Sequence, residues 1–193
     1  MKNKKIVILS GSVREGRKSH YVAELISEKL KNSTNHDIIL LDLKEYPLPI
    51  METRLDNEEQ YPEILKRLSS YLINADGIII VSPEYKNGIP GALKNVLDYL
   101  KPQIFRHKPI GNITVSSGGF GGINCLSQLR LVGLAMGGLP IPEKLCVSNI
   151  NELFNNSGAI LNTSINEKTT QFLDAFLWYV KRMSVQNHPP HKM

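Results

Sequence analysis

A chain of 193 residues, 41% hydrophobic and 21% charged, is long enough for one good core, and nothing in it demands a second domain. No apolar run approaches the length of a membrane span, and the basic amino terminus leads into a strand-like segment without a cleavage-site pattern, so a cytoplasmic protein is expected. The net charge of +5 is scattered over Lys2, Lys4, Lys5, Lys29, Lys31, Lys66 and Arg67, which argues against nucleic acid and for a mild field that attracts anionic phosphates.

Residues 5–10 (KIVILS) predict a first buried strand, and GSVREGRKS carries the chain into a helix whose apolar face is Val22, Leu25, Ile26 and Leu30. DIILLD, residues 37–42, is a second strand. Residues 43–62 are too rich in proline and charge for regular structure and predict a surface flap able to shape a pocket rim. Ile64, Leu65, Leu68, Tyr71 and Leu72 then mark a helix. GIIIVS, residues 77–82, is an apolar run bounded by Asp76, Gly77 and Pro83, the pattern of a central strand buried on both faces. Pro83 cannot continue a central ladder, Gly88 and Gly91 permit backbone shapes closed to other residues, and Pro90 suits a helix start. A shaped loop is expected there, followed by a helix with Leu93, Val96, Leu97 and Leu100 at helical spacing.

PIGNITVSS, residues 109–117, predicts a fourth strand, and GGFGG, residues 118–122, a second shaped loop. A helix over about 124–136, a short strand over 145–148 and a last helix over about 167–184, burying Phe172, Leu173, Phe176, Leu177 and Val180, complete the chain. The tail from Val185 is expected to be flexible, and its His188 and His191 untethered, with no metal role. Cys125 and Cys146 have neither close spacing nor a histidine pair, so they are expected as reduced, buried small residues.

Strands alternating with helices imply a parallel sheet covered on both faces, because each crossover is right-handed. Five strands fit a single domain with the flavodoxin-like three-layer α/β sandwich and the order 2-1-3-4-5. In that order the loops that begin at Ser10 and Ser82 meet at the switch point, where ligands bind. The first loop offers the hydroxyls of Ser10, Ser12 and Ser19 and the cations Arg14 and Arg17 just before a helix amino terminus, an arrangement suited to an anion. It lacks the GK[ST] ending of a P-loop and the G-x-G-x-x-G of a dinucleotide fold. A terminal monophosphate such as that of FMN suits it; a polar turn whose serines cap the helix is the alternative. Gly88, Gly118, Gly119, Gly121 and Gly122 would let backbone approach a flat ring, with Tyr85 and Phe120 near its edges unless they are plain fillers.

Three segments resemble the NADPH-dependent FMN reductase family, a flavodoxin-like group that includes quinone, azo-dye and chromate reductases. GSVREGRKS is similar to its G-S-x-R phosphate loop. SPEYKNGIPGALKNVLDYL is similar to its P-E-Y-x-x-G-x-P-G-x-L-K-N-x-[IL]-D segment, and SSGGFGGINCLSQLRLVGLAMG to its third loop and Q-L-R helix; together with the strands between, they span most of residues 5–148. The resemblance implies that Ser12, Arg14 and Ser19 hold the FMN phosphate, with Ser10 and Arg17 beside them. It implies that Pro83, Glu84, Tyr85 and Gly88 border the ring system, and that Ser117, Gly118, Gly119, Phe120 and Gly121 close its pyrimidine side. Lys86 stands where many members have Asn, and is expected either to meet the flavin or the dinucleotide or to be a solvated lysine paired loosely with Glu84.

The family implies a homodimer or homotetramer paired through the helix of Leu93, Val96, Leu97 and Leu100. It also implies an enzyme in which NADPH or NADH reduces bound FMN and a small acceptor such as a quinone, azo compound or free flavin removes the electrons, with no protein acid or nucleophile needed. The rival is a flavodoxin-type electron carrier or flavin-binding regulator; carriers are usually acidic, whereas this chain is net positive. Nothing in the sequence chooses between NADPH and NADH, names the acceptor, or sets dimer against tetramer.

Overall fold

The structure, a computed structural model, describes residues 3–55 and 60–183. The tail and its two histidines lie outside them. β1 (Lys5–Ser10), β2 (Asp37–Asp42), β3 (Gly77–Pro83), β4 (Pro109–Val115), β5 (Leu139–Pro140) and β6 (Leu145–Val147) make one parallel sheet. The strand order is β2-β1-β3-β4-β5, with β6 also on β4, and this is the flavodoxin-like α/β order expected from the sequence. The helices are α1 (Ser19–Ser33), α2 (Glu63–Ile73), α3 (Gly91–Tyr99), α4 (Ile123–Ala135), the single turn α5 (Ile150–Leu153) and α6 (Asn166–Arg182).

Every residue of β3 and β4 is buried, as their unbroken apolar runs require. Ile6, Ile8, Ile79, Val81 and Ile113 face a layer built by Val22 and Ile26 of α1 and Phe172 and Phe176 of α6. Val7, Leu9, Ile78, Ile80 and Ile110 face Leu65 and Leu68 of α2, Leu93 and Leu97 of α3, and Leu129 of α4. α6 can lie on the sheet because two strand positions are bare: a Cβ on Gly77 would come within 2.6 Å of Val180, and one on Gly111 within 2.9 Å of Phe172. Leu177 is half-buried against this layer and not in its centre.

Lys108 is a buried cation that the sequence does not flag. Its Nζ donates to the carbonyls of Leu72 and Ile73 at 2.7 Å each, closing the carboxyl end of α2. Burial pushes its pKa down to about 8, against the opposing pull of Asp76.

The fifth strand departs from expectation. It comes in two pieces, with Pro109 and Ile110 pairing with Leu139 and Pro140, and Ile113 to Val115 pairing with Leu145 to Val147. Arg130 of α4 covers the break, donating to the carbonyls of Ile141 at 3.4 Å and Pro142 at 2.5 Å. β4 stops at Val115, so Ser116 and Ser117 belong to the loop. Within the flap the chain forms a 3-10 turn at Leu43–Glu45, and Asn95 of α3 pins the stretch beyond by donating to Pro49 O at 2.7 Å and accepting from Met51 N at 2.9 Å.

Leu93, Val96 and Leu97 of α3 and the following Leu100 are buried in the chain's own core, and the exposed side of the helix carries Lys94 and Asp98. Exposed apolar side chains include Leu131 and Leu134 of α4. Both cysteines are free, but only Cys125 is buried and Cys146 is half-buried. No helix among the described residues is long and apolar enough to cross a membrane, and none of their His, Cys, Asp and Glu side chains form a group suited to a metal ion.

Candidate active site

The carboxyl ends of β1 and β3 open onto a cleft of about 310 Å³ lined by Arg14, Gly16, Arg17, Lys18, Ser19, Pro83, Glu84, Tyr85, Val115, Ser116, Ser117, Ile150 and Asn151. This is the switch point, where the chains leaving neighbouring strands diverge and leave a crevice. A larger cavity of about 720 Å³ lies against the carboxyl end of α3.

Loop 1 (residues 11–18, after β1) is tied to loop 2 (residues 84–90, after β3) across the crevice, and loop 3 (residues 116–122) follows β4. The Gly11 amide donates to Val81 O at 2.8 Å, and Ser12 Oγ shares a hydrogen bond of 2.8 Å with the Tyr85 hydroxyl. Arg14 donates from its amide to Ser12 Oγ at 3.3 Å and stacks its guanidinium over the Tyr85 ring at 5.7 Å. Ser10 is fully buried, 3.1 Å from Nδ1 of His20. It supports the loop from below and does not line the cleft.

The two arginines differ. Arg17 pairs with Asp42 at the end of β2, so its charge is already matched while it still lines the cleft. Its Nε and the Oγ of Ser19 are nonetheless buried without any hydrogen-bond partner. Lys18, which sequence reasoning passed over, reaches across the cleft to donate to Phe154 O at 2.7 Å. Only its place beside two expected residues, immediately before a helix, could have signalled it.

Loop 2 is a tight hairpin. Tyr85 and Gly88 exchange both backbone hydrogen bonds at 3.0 Å, and the central residues Lys86 and Asn87 have φ of 50° and 62°. Positive φ at both central positions is the pattern that hairpins favour and that suits glycine or asparagine. α4 braces this turn: Gln128 donates to Asn87 O at 2.9 Å and accepts from the Ile89 amide at 3.3 Å, and Asn124 donates to the Asn87 side chain at 3.3 Å.

Glu84 lines the cleft and also reaches α4, where its carboxylate accepts from Cys125 N at 2.9 Å in the first turn. Gln128 was legible as part of a Q-L-R resemblance and Asn124 as the start of a helix, but neither as a brace.

Loop 3 divides into two functions. Gly118 and Gly119 have open space where a Cβ would stand. Gly121 does not, since at φ +61° its Cβ would press within 2.7 Å of the backbone of Cys146, so its Cα side packs on β6. A Cβ on Gly88 would stand 3.4 Å from the Gln128 side chain, an ordinary contact. Phe120 is 86% exposed and packs on nothing. The cleft thus gathers Arg14, Arg17, Ser19, Pro83, Glu84, Tyr85 and Ser117, with Ser10 and Ser12 behind it, while Lys86, Gly88 and Gly118 to Gly121 are not among its lining residues.

A cleft of this kind has the donor set for a phosphate and space above it for a flat ring. A family model described as NADPH-dependent FMN reductase matches residues 4–152. An NADPH azoreductase of Bacillus sp. (strain OY1-2) is 34% identical over 141 residues, covering 70% of this chain and 73% of that protein. A quinone reductase of Escherichia coli (strain K12) is 26% identical over 185 residues, covering 93% of this chain and 97% of that one. Among solved structures, the flavoenzyme NAD(P)H:(acceptor) oxidoreductase FerB of Paracoccus denitrificans superposes with a TM-score of 0.77 at 20% identity, covering 94% of this chain and 100% of that chain, a likeness of fold.

Proposed function

The chain belongs to the NADPH-dependent FMN reductase family, and from that premise we propose that the switch-point cleft holds FMN and serves NAD(P)H and a small electron acceptor in turn. The observation that carries this reading is the pair of buried, unpartnered donors, Ser19 Oγ and Arg17 Nε, beside Arg14 and Lys18 at the amino terminus of α1. Buried polar groups are almost always satisfied, so donors left open in a cationic cleft fit an anion with several oxygens. The residues therefore fit the FMN phosphate.

Ser12, Arg14, Arg17, Lys18 and Ser19 hold that phosphate, and Pro83, Tyr85 and Ser117 border the ring. Gly118 and Gly119 leave room for its edge. Held by these residues, FMN would supply the hydride-transfer chemistry between the dinucleotide and the acceptor. The protein's part is to bind and orient: no residue of the cleft needs to act as nucleophile or acid.

Quinones, azo compounds and free flavin are the acceptor class, because a cleft walled by Tyr85, Pro83, Val115 and Ile150 suits flat apolar electrophiles. A homo-oligomer and a cytoplasmic location go with this reading. α4 is apolar on its outer side too, with Leu131 67% and Leu134 60% exposed, which fits a face covered by a second copy. The visible spectrum of the purified protein, followed by NADPH and NADH oxidation with a benzoquinone, tests the function. Expected are released FMN near one per chain and steady turnover; a flavin reduced only by a partner reductase would establish the electron carrier instead.

A further inference from the structure

Lys86 stands in the least suitable backbone conformation of the site. Both central positions of its hairpin have positive φ, where lysine is disfavoured and asparagine or glycine is not. A turn used only to reverse the chain gains nothing from lysine there. Strained backbone that surrounding contacts enforce is a feature of functional sites, and here the contacts are the Tyr85–Gly88 bonds and the Gln128 and Asn124 brace.

The charge of Lys86 is also unanswered. The side chain is exposed, and no described carboxylate pairs with it. Glu84, two residues away, is committed to the Cys125 amide, which removes the loose ion pair that the sequence suggests. A full cation is therefore presented on a rigid tip, one residue beyond the Tyr85 that lines the cleft. The flavin phosphate does not need it, because loop 1 already supplies Arg14, Lys18 and Ser19.

Resting on the reductase reading above, we propose that Lys86 receives a phosphate of the nicotinamide dinucleotide and so sets the affinity for the hydride donor. The dinucleotide carries a pyrophosphate, and NADPH a further 2′-phosphate. It must also leave after each reduction, and an exposed, screened lysine gives a contact weak enough to exchange.

The test compares FMN-loaded parent, Lys86→Asn and Lys86→Arg at low ionic strength. Steady-state kinetics give KM for NADPH and NADH, and calorimetry gives Kd for NADP+ and NAD+. Lys86→Asn, which suits the turn, is expected to raise KM for NADPH and Kd for NADP+ about two- to five-fold, while Lys86→Arg keeps the parent values. Added salt should shrink the difference. A loss confined to NADPH and NADP+ assigns the 2′-phosphate; equal losses with NADH and NAD+ assign the pyrophosphate. Unchanged values in Lys86→Asn, an equal rise in Lys86→Arg, or a shifted flavin potential with unchanged dinucleotide affinity each overturn the proposal. A parent that binds dinucleotide through Lys86 without oxidising it would refute the reductase reading and leave this one standing, and a parent that binds neither dinucleotide would refute both.

Discussion

Arg14 and Arg17 are equal cations in the sequence, three residues apart in one loop, and the fold separates them. Arg17 answers to Asp42 of β2, a partner 25 positions away that no local pattern identifies. Arg14 has only the Tyr85 ring beneath it and is the one whose charge is free for a ligand. Arg14→Ala should therefore weaken FMN binding by about 1.5 to 3 kcal/mol, roughly ten- to hundred-fold in calorimetric Kd, and unchanged affinity would remove it from the phosphate site. Lys108 was illegible for a related reason: it precedes an apolar strand like any flanking lysine, and only the packing of α2 buries it. Its folded pKa near 8 lies below the unfolded value of 10.5, so between those limits the unfolded chain binds more protons and stability rises with pH. Chemical unfolding of parent and Lys108→Met across that window should show the parent gaining stability relative to the variant. A parallel pH dependence in the two would mean that the amine stays protonated in the fold.

Elements were more legible than their joints. Apolar runs placed β1 to β4, and helical spacings α4 and α6, within about two residues, and the same spacings marked the buried faces of α1 to α3, because buried faces must be continuous. The one-turn α5 escaped, being too short for periodicity, and the fifth strand appeared only in its second half because Pro140 and Pro142 disguise the first. Loop 3 shows the same limit. Its glycines look alike as GGFGG, yet Gly121 is fixed by Cys146 and Gly119 by nothing in the protein. Gly121→Val should cost folding stability, by about 1 to 3 kcal/mol in denaturant titrations, from the clash and the positive φ. Gly119→Val should leave apoprotein stability nearly unchanged and lower the FMN retained on purification. If Gly119→Val keeps full FMN, the third loop does not touch the ring; if Gly121→Val is as stable as the parent, its packing on β6 is dispensable.

At the scale of the whole molecule the alternation of strands and helices was enough to order the sheet, and hence to bring the loops of Ser10 and Ser82 together. Which helix faces outward was not readable, since α3 and α4 both carry leucines and only the assembled sheet shows which of them are spare. Leu131→Arg combined with Leu134→Arg should give a monomer by light scattering where the parent is an oligomer; an unchanged mass would clear α4 of that role. The broken strand beside β4 has a different consequence. The amides of Leu139 and Ile141 donate inward to Lys108 O and Ile110 O at 2.9 Å each. The alternate positions, whose amides would point away from the sheet, are Pro140 and Pro142, which have none. Arg130 occupies carbonyls at the same place. A strand from another molecule thus finds almost no hydrogen-bonding rail along residues 139–142, which blunts this half of the margin against cross-β extension. The same prolines that hide the strand from a reader of the sequence hide it from other chains in a crowded solution.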